Sequence, residues 1–253
     1  MSHHHDDNKR RFWITGASSG IGHALAERLA GQGDHVAVSA RSEEALNALA
    51  AASGKVTAHP LDVTNREKVH QVIDAIEAEG PIEVAVLNAG AWFLMDAVEL
   101  DVDKVRQAVE VNYMGVMYAL EKLIPLMKER GEGHLVLMAS VAGFRGLPRS
   151  LAYGPTKAAL INLTESLKPE LEKFGIHVTV INPGFVDTPA TQDNPFPMPD
   201  IITADEAAKH IAKGIDKQKV EIIFPWRFAV AMKLLRILPY RPFYWLMRRI
   251  MSQ

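Results

Sequence analysis

The 253-residue sequence contains no cysteine, which excludes disulfide bonds, thiolate metal sites and a cysteine nucleophile. It also has no excess charge of one sign, because 28 Lys and Arg residues offset 30 Asp and Glu residues to a formal net charge of -2. Nucleic-acid-binding proteins usually show a clear basic excess, so we expect no nucleic-acid partner. No uncharged apolar run reaches the roughly 18 residues of a membrane-spanning helix.

The N-terminal end lacks the features of a targeting segment. Residues 1–10 hold no apolar run, so the sequence predicts no secretory signal peptide and a cytoplasmic location. The tract from His3 to His5 is either a metal-binding segment or the remnant of an affinity tag. We favour a disordered end without a function, and we predict no metal site in the chain.

Apolar segments of strand length alternate with segments of helical period through residues 11–225. The predicted strands are Arg11–Thr15, Val36–Ala40, Val56–Pro60, Val84–Asn88, His134–Ser140, Ile176–Asn182 and Val220–Phe224. The predicted helices cover residues 21–31, 43–52, 66–79, 101–129, 151–174 and 204–217. This alternation is typical of βαβ units, and it predicts one α/β domain with helices on both faces of a parallel sheet.

Two segments depart from the alternation. Residues 185–203 are rich in proline and lack periodicity, which is typical of a lid or binding loop. Residues 226–253 form an amphipathic C-terminal extension, predicted as two short helices that separate around Pro239 and Pro242. This extension either packs over the substrate cleft or a partner subunit, which we favour slightly, or makes peripheral contact with a membrane surface.

A glycine-rich segment, Thr15-Gly16-Ala17-Ser18-Ser19-Gly20-Ile21-Gly22, joins the first strand to the first helix. Glycine lets the backbone turn tightly and approach a ligand closely. The free N–H groups and the dipole of a helix N-terminus favour a pyrophosphate. The segment is either a dinucleotide site or a plain tight turn, and its place in an N-terminal βαβ unit favours the dinucleotide.

The second predicted strand ends at Ala40, and Arg41 follows where an NAD site usually carries an acidic residue. A guanidinium can pair with the 2′-phosphate of NADP, whereas a carboxylate would repel it. The sequence therefore predicts NADP(H) as the cofactor, with Ser39 and Ser42 as further donors. The alternative is that Arg41 is only a solvated surface charge.

Tyr153 and Lys157 are four residues apart, so on a helix their side chains share one face. A neighbouring ammonium favours the phenolate and lowers the tyrosine pKa from its free value of about 10. Pro155 is tolerated only in a first helical turn, so this helix should begin close before Tyr153. Ser140 closes the fifth strand, and Asn112 lies in a predicted helix, where its amide could instead make a structural hydrogen bond.

The glycine-rich turn, Asn88-Ala89-Gly90, Ser140 and Tyr153-x-x-x-Lys157 resemble, in order and spacing, the motifs of the short-chain dehydrogenase/reductase family. The likeness runs from about Arg11 to Glu221. It implies a single Rossmann-like, doubly wound domain with a seven-stranded parallel sheet. It also implies hydride transfer between a nicotinamide cofactor and a carbonyl or alcohol carbon.

The resemblance assigns roles to individual residues. The catalytic residues would be Ser140 at the substrate oxygen, Tyr153 as general acid/base, Lys157 beside it, and Asn112 holding a water in a proton relay. The cofactor-binding residues would be Gly16, Ser18, Gly20, Ile21, Arg41, Asp62, Val63, Asn88, Gly90, Tyr153, Lys157, Pro183, Gly184, Val186 and Thr188. Asp62 and Val63 would contact the adenine.

The resemblance places a mainly apolar set of residues around the substrate cleft: Trp92, Phe93, Phe144, Leu147, Phe185, Phe196 and Met198. They predict a lipophilic ketone, aldehyde or secondary alcohol as substrate, with Arg145 and Arg149 facing solvent. Two alternatives stay open, a broad-specificity soluble aldehyde or polyol reductase and a non-catalytic NADP(H)-sensing protein. The C-terminal extension is similar to those of membrane-associated family members. We expect the protein with this extension to be a homodimer.

Overall fold

The computed structural model describes residues 9–192 and 194–251. The expectations for the first eight residues, among them the histidine tract, lie outside the described residues. Arg10 already belongs to the folded chain, because its backbone N–H donates to Asp34 Oδ1 (3.1 Å) and its guanidinium donates to Asp216 Oδ1 (2.6 Å). The folded domain therefore includes Arg10, one residue before the predicted boundary at residue 11.

A seven-stranded parallel sheet forms the centre of the molecule. Its strands are β1 (Arg11–Thr15), β2 (His35–Ser39), β3 (Val56–Ala58), β4 (Val84–Leu87), β5 (Gly133–Met138), β6 (Ile176–Pro183) and β9 (Glu221–Phe224), and a separate two-stranded ribbon consists of β7 (Val186–Asp187) and β8 (Ile202–Thr203). The sheet order is β3-β2-β1-β4-β5-β6-β9. This order confirms the doubly wound Rossmann-like fold, and each predicted strand is present with its ends shifted by at most two residues.

Helices cover both faces of the sheet. They are α1 (Gly20–Gly31), α2 (Glu43–Ala52), α3 (Arg66–Glu79), α4 (Val102–Val109), α5 (Gly115–Arg130), α6 (Tyr153–Leu171), α7 (Ala204–Asp216), α8 (Trp226–Ile237) and α9 (Tyr240–Met251). Polar side chains fix several starts. Thr203 and Glu206, for example, form a reciprocal capping box at α7.

The central strands are apolar on both sides because each side faces a helical layer. On β1, Trp13 packs into the layer that contains α3, α5 and α6, while Phe12 and Ile14 pack into the layer that contains α1 and α7. All three side chains are fully buried. Their burial explains why this strand shows a continuous apolar run without polar alternation.

The prediction of one uninterrupted helix over residues 101–129 is wrong. The helical segment is divided into α4, one π-helical turn at Glu110–Met114, and α5. The Asn112 side chain lies in this wider turn, fully buried, and bonds the backbone of Ala91. A turn of this type often marks a functional region.

Regular structure also occurs in the proline-rich segment. Its two ends pair as a short parallel ribbon, with β7 Val186 opposite β8 Ile202. The C-terminal extension forms α8 and α9, as predicted. Within residues 9–192 and 194–251, no helix is both long and apolar enough to cross a membrane.

Candidate active site

One large cavity, with a volume of about 2050 Å³, lies past the carboxyl ends of β1, β2, β4, β5 and β6. Ligands of open parallel sheets bind at this edge. Every cofactor-binding residue that the family resemblance assigns lines it: Gly16, Ser18, Gly20, Ile21, Arg41, Asp62, Val63, Asn88, Gly90, Tyr153, Lys157, Pro183, Gly184, Val186 and Thr188. Of the four predicted catalytic residues, Ser140, Tyr153 and Lys157 line the cavity, and Asn112 does not.

The glycine-rich turn can exist only without side chains at two positions. Gly16 has φ +70°, and a Cβ there would lie 2.8 Å from the Ala89 Cα. A Cβ on Gly22 would lie 2.5 Å from the Gly16 carbonyl oxygen. The turn leads into α1, whose first turn carries no acidic residue and whose Ser19 side chain makes no capping bond. The helix N-terminus therefore presents N–H groups that suit a pyrophosphate.

Asn88 and Thr15 hold this turn against β4. Asn88 Nδ2 donates to the carbonyl oxygens of Thr15 (2.9 Å) and Gly16 (3.1 Å). The Thr15 hydroxyl oxygen accepts from the backbone N–H groups of Asn88 (3.0 Å) and Ala89 (3.1 Å). Asn88 thus supports the shape of the cofactor cradle, and Thr15 is a positioning residue that the sequence analysis missed.

Arg41 follows β2, is exposed, and lines the cavity together with Ser42 and Asp62. The Ser42 side chain also caps α2 by accepting from the Ala45 N–H (3.4 Å). Ser39 is wrong as a predicted donor to the cofactor, because it is fully buried and its hydroxyl accepts from Trp13 Nε1 (3.0 Å).

Tyr153 begins α6, as Pro155 predicts, and Lys157 follows one turn later. Lys157 is buried, its Nζ donates to the Met138 carbonyl (2.7 Å), and it lies 5.4 Å from the centre of the Tyr153 ring. The Ser140 hydroxyl donates weakly to the Pro183 carbonyl (3.4 Å). Three elements thereby bring a hydroxyl, a phenol and an ammonium to one side of the cavity.

Burial controls the proton affinities of this group. It raises the pKa of Tyr153, and the nearby Ser140 hydroxyl opposes that shift. Burial also lowers the pKa of Lys157 to about 8. The ammonium effect expected from the sequence is not the main influence on Tyr153 here, because loss of solvent disfavours the phenolate more strongly.

The Asn112 side chain is hydrogen-bonded within the chain. Its Oδ1 accepts from the Ala91 N–H (2.6 Å), and its Nδ2 donates to the Ala91 carbonyl (3.0 Å) and to Thr156 Oγ1 (3.0 Å). Thr156 Oγ1 in turn donates to the Tyr153 carbonyl (2.8 Å). This side chain therefore ties the π-helical turn to the start of α6, and its place in a proton relay stays a prediction.

Aromatic and aliphatic side chains line the part of the cavity next to Tyr153. The Trp92 ring meets the Tyr153 ring edge-on at 4.7 Å between centres. Leu147, Phe185 and Phe196 line the same region, as predicted.

Three cleft predictions are wrong, because other packing engages these side chains. Phe144 is buried in the core, and Phe93 packs in a small cluster with Met95. The Met198 sulfur accepts a hydrogen bond from the Asn194 side-chain amide (3.5 Å). None of the three is among the residues that line the cavity.

The two arginines beside the cleft do not simply face solvent. The Arg145 guanidinium lies over the rings of Tyr240 (4.9 Å) and Phe243 (4.4 Å) in α9. Arg149 pairs with Asp96 (3.2 Å) at the cavity rim. Both cations are therefore engaged within the chain.

The C-terminal extension forms a wall of the cavity, which is the first of the two packings that the sequence left open. The residues that contribute are Phe228, Met232, Leu235, Met247 and Ile250. The Phe228 ring lies 5.1 Å from the Phe185 ring. The helical spacing of the three α8 residues is the signal that could have identified them.

A family model described as short chain dehydrogenase matches residues 11–196. The chain belongs to the short-chain dehydrogenase family. An uncharacterized oxidoreductase of Myxococcus xanthus is 40% identical over 232 residues, covering 89% of this chain and 91% of that protein. This short-chain dehydrogenase is therefore an oxidoreductase whose fold and cavity both carry the family pattern.

Solved structures of family members agree with the fold. A short-chain dehydrogenase from Sphingobium yanoikuyae in complex with NADPH has a TM-score of 0.78 and 27% identity, covering 92% of this chain and 97% of its own. One from Burkholderia phymatum in complex with NAD has a TM-score of 0.80 and 25% identity, covering 89% and 92%. The neighbours hold different cofactors, so the preference of this short-chain dehydrogenase depends on its own side chains after β2.

The cavity fits a nicotinamide dinucleotide on its own geometry. The glycine cradle leaves backbone space that a Cβ would fill, and the α1 N-terminus adjoins it. Arg41 and Asp62 line the cavity after β2 and β3, and Tyr153 and Lys157 line it at the start of α6. An anionic, extended molecule can therefore lie along the sheet edge with its two ends in chemically different surroundings.

Proposed function

We propose that this short-chain dehydrogenase interconverts a lipophilic ketone or aldehyde and its alcohol with NADP(H) as cofactor. The observation that carries the proposal is the meeting of Ser140, Tyr153 and Lys157 at the apolar side of the cavity. The protonated Tyr153 phenol at this position can donate its proton to a substrate oxygen, which suits reduction of a carbonyl.

The proposed cofactor preference rests on Arg41. No acidic residue lies in the segment Ser39 to Ser42, where a carboxylate would bind the ribose hydroxyls of NAD. The exposed Arg41 guanidinium is free to pair with a 2′-phosphate in two parallel hydrogen bonds. NADPH in the Sphingobium yanoikuyae neighbour is compatible with this assignment.

Each residue around the reacting carbon would have a different role in catalysis. Bound nicotinamide supplies or accepts the hydride. In reduction, the Ser140 hydroxyl would orient the substrate oxygen and the Tyr153 hydroxyl would transfer its proton to that oxygen. Lys157 would stabilise the resulting phenolate by its charge and would bind the nicotinamide ribose. Asn112 would act as a positioning residue that fixes the start of α6.

The apolar surroundings support a lipophilic substrate. Trp92, Phe185 and Phe228 line the cavity near Tyr153, and the two nearby arginines are engaged by other residues of the chain. A substrate carboxylate would therefore meet apolar side chains, and desolvation of its charge would oppose binding.

Replacement of Tyr153 by Phe tests the proposal. The variant should lose at least about 100-fold in kcat with NADPH and a lipophilic carbonyl, because general acid catalysis is removed. NADPH binding, measured by fluorescence titration, should stay within a few-fold of wild type. Tyr244→Phe, at an exposed position on α9, is the matched control.

Three results would contradict the proposal in different ways. Near-normal turnover by Tyr153→Phe would remove Tyr153 from catalysis. If the kcat/KM values for small polyols or hydrophilic aldehydes equal those for lipophilic carbonyls, the broad-specificity reductase is indicated. Tight NADPH binding without turnover of any carbonyl or alcohol would indicate the NADP(H)-sensing protein.

A further inference from the structure

Helix α8 carries apolar side chains on two opposite faces. Its inner face includes Ala229 and Met232, which are buried against the domain. Its outer face repeats at helical spacing and consists of Trp226, Val230, Leu234 and Ile237, the outer stripe. Their side chains are between 51% and 75% exposed. A surface helix normally carries polar residues on that face, so packing within this chain does not account for the outer stripe.

Helix α9 extends the exposed apolar surface with aromatic rings. Phe243 and Met247 are buried and hold the helix on the domain. Tyr240 and Tyr244 are exposed and stack on each other with 6.0 Å between ring centres. Trp245 is exposed beside them. Tyrosine and tryptophan combine an apolar body with a polar tip, which suits the boundary between water and lipid.

The same two helices carry only positive charge. No acidic residue follows Glu221 in the sequence. The exposed cations of α8 and α9 are Arg227, Lys233, Arg236, Arg241, Arg248 and Arg249. Lys233 pairs with Glu221, and Arg236 lies 3.9 Å from Glu165. Within the described part of the chain, no carboxylate lies within ion-pair distance of Arg227, Arg241 or Arg248.

We propose that α8 and α9 form a docking surface for a membrane that contains anionic lipid. The outer stripe and the α9 aromatics would enter the boundary between headgroups and acyl chains, and the arginines would pair with lipid phosphates. An anionic lipid surface satisfies the apolar and the charged parts of this surface together, because both parts are repeated along the same two helices.

A second copy of the chain satisfies only one of these parts. A two-fold contact places a surface against itself, so the outer stripe would be covered while the arginines of one copy faced those of the other. With no acidic residue on either helix, this pairing is repulsive. Charge complementarity therefore selects the lipid surface over self-association.

Vesicle co-sedimentation with the full chain tests the proposal. The protein should pellet with phosphatidylcholine vesicles that contain phosphatidylglycerol, and not with phosphatidylcholine alone. Added salt should weaken the binding, since charge contributes to it. The tryptophan emission should shift to the blue on binding, because Trp226 and Trp245 are exposed in the free protein.

Two variant sets separate the apolar and charged parts. Trp226→Ser/Leu234→Ser/Ile237→Ser should lower the vesicle partition coefficient by roughly 10-fold or more, and so should Arg227→Glu/Arg241→Glu/Arg248→Glu. The matched control is Val98→Ser/Leu100→Ser/Val102→Ser, which removes three apolar side chains exposed elsewhere on the molecule. This control should bind vesicles like the wild type.

Three outcomes would overturn the proposal. The first is that the protein pellets equally with neutral and with anionic vesicles. The second is that the variant with substitutions in the outer stripe has the same vesicle partition coefficient as the wild type. The third is that the protein binds no vesicles and forms a dimer, which light scattering shows to dissociate when the outer stripe is substituted. The last result would assign the outer stripe to a second copy. Binding is measured without turnover, so failure here leaves the proposed enzymatic activity standing.

Discussion

Arg41 is the residue on which the cofactor preference depends, because it is the exposed cation between the end of β2 and the cap of α2. Arg41→Glu should lower kcat/KM for NADPH by roughly 10- to 100-fold, since a charge-assisted pair is lost and a repulsion is added. The value for NADH should change little or rise. Steady-state kinetics with both cofactors measures this difference.

Lys209→Glu is the control for that experiment, because it makes the same charge change at an exposed position of α7. It should leave both kcat/KM values close to wild type. An equal loss with NADPH and NADH in Arg41→Glu would mean that the side chain does not distinguish the two cofactors.

Residues whose role depends on local conformation could be predicted from the sequence, and residues with distant partners could not. Gly16 and Gly22 were identified because a tight turn into a helix needs glycine at these positions. Ser39 was misassigned because its partner is Trp13, 26 residues earlier. Arg145 was misassigned because its partners lie in α8 and α9, with Arg236 91 residues later.

The pairing of β5 with β6 contains a buried histidine that links stability to pH. His134 lies opposite His177, and its Nε2 is 2.7 Å from Thr179 Oγ1. Burial, together with the smaller effect of the positive charges of His177 and Arg10, lowers the pKa of His134 from 6.5 to about 4. The neutral ring is thus the form that the folded sheet holds.

The sign of the pH effect follows from that shift. Between pH 6.5 and 4 the unfolded chain binds more protons at His134, so the free energy of unfolding falls as the pH drops. The contribution of this one group reaches at most about 3 kcal/mol. Denaturant unfolding at several pH values should show a shallower decline for His134→Gln than for wild type.

His210→Gln removes an exposed histidine of α7 and is the control. Parallel curves for His134→Gln and wild type would exclude His134 as a source of acid sensitivity.

At the scale of elements, the apolar pattern predicted the strands and helices well because each has one clear period. The interruption at Glu110–Met114 escaped prediction, since the residues on either side continue a helical pattern. Within this turn Asn112 bonds Ala91, a contact across 21 residues that the local pattern does not reveal. The position of α8 and α9 over the cavity was likewise open, because amphipathicity shows which face is apolar but not what covers it.

At the scale of the whole molecule, one wall of the cavity is formed by α8 and α9, which are far along the chain from the glycine-rich turn. Phe228→Ala removes a ring from that wall and from contact with Phe185. The KM for a lipophilic carbonyl should rise by roughly 10-fold, because apolar contact area is lost. The Kd for NADPH should change little, as measured by fluorescence titration.

Val230→Ala, on the outer stripe of the same helix, is the matched control and should keep the wild-type KM. A similar rise of KM for small hydrophilic aldehydes in Phe228→Ala would indicate a general disturbance of the site. The homodimer stays a prediction at this scale, and light scattering of the wild-type chain measures it.

The family match ends at residue 196, and the cavity wall contributed by α8 and α9 begins after residue 225. The groups proposed to move the proton and hold the cofactor are therefore encoded apart from a large part of the surface that meets the substrate. Selection can act on these two stretches of the gene at different rates. We expect that exchange of the C-terminal stretch alone would change the substrate range and leave the chemistry the same.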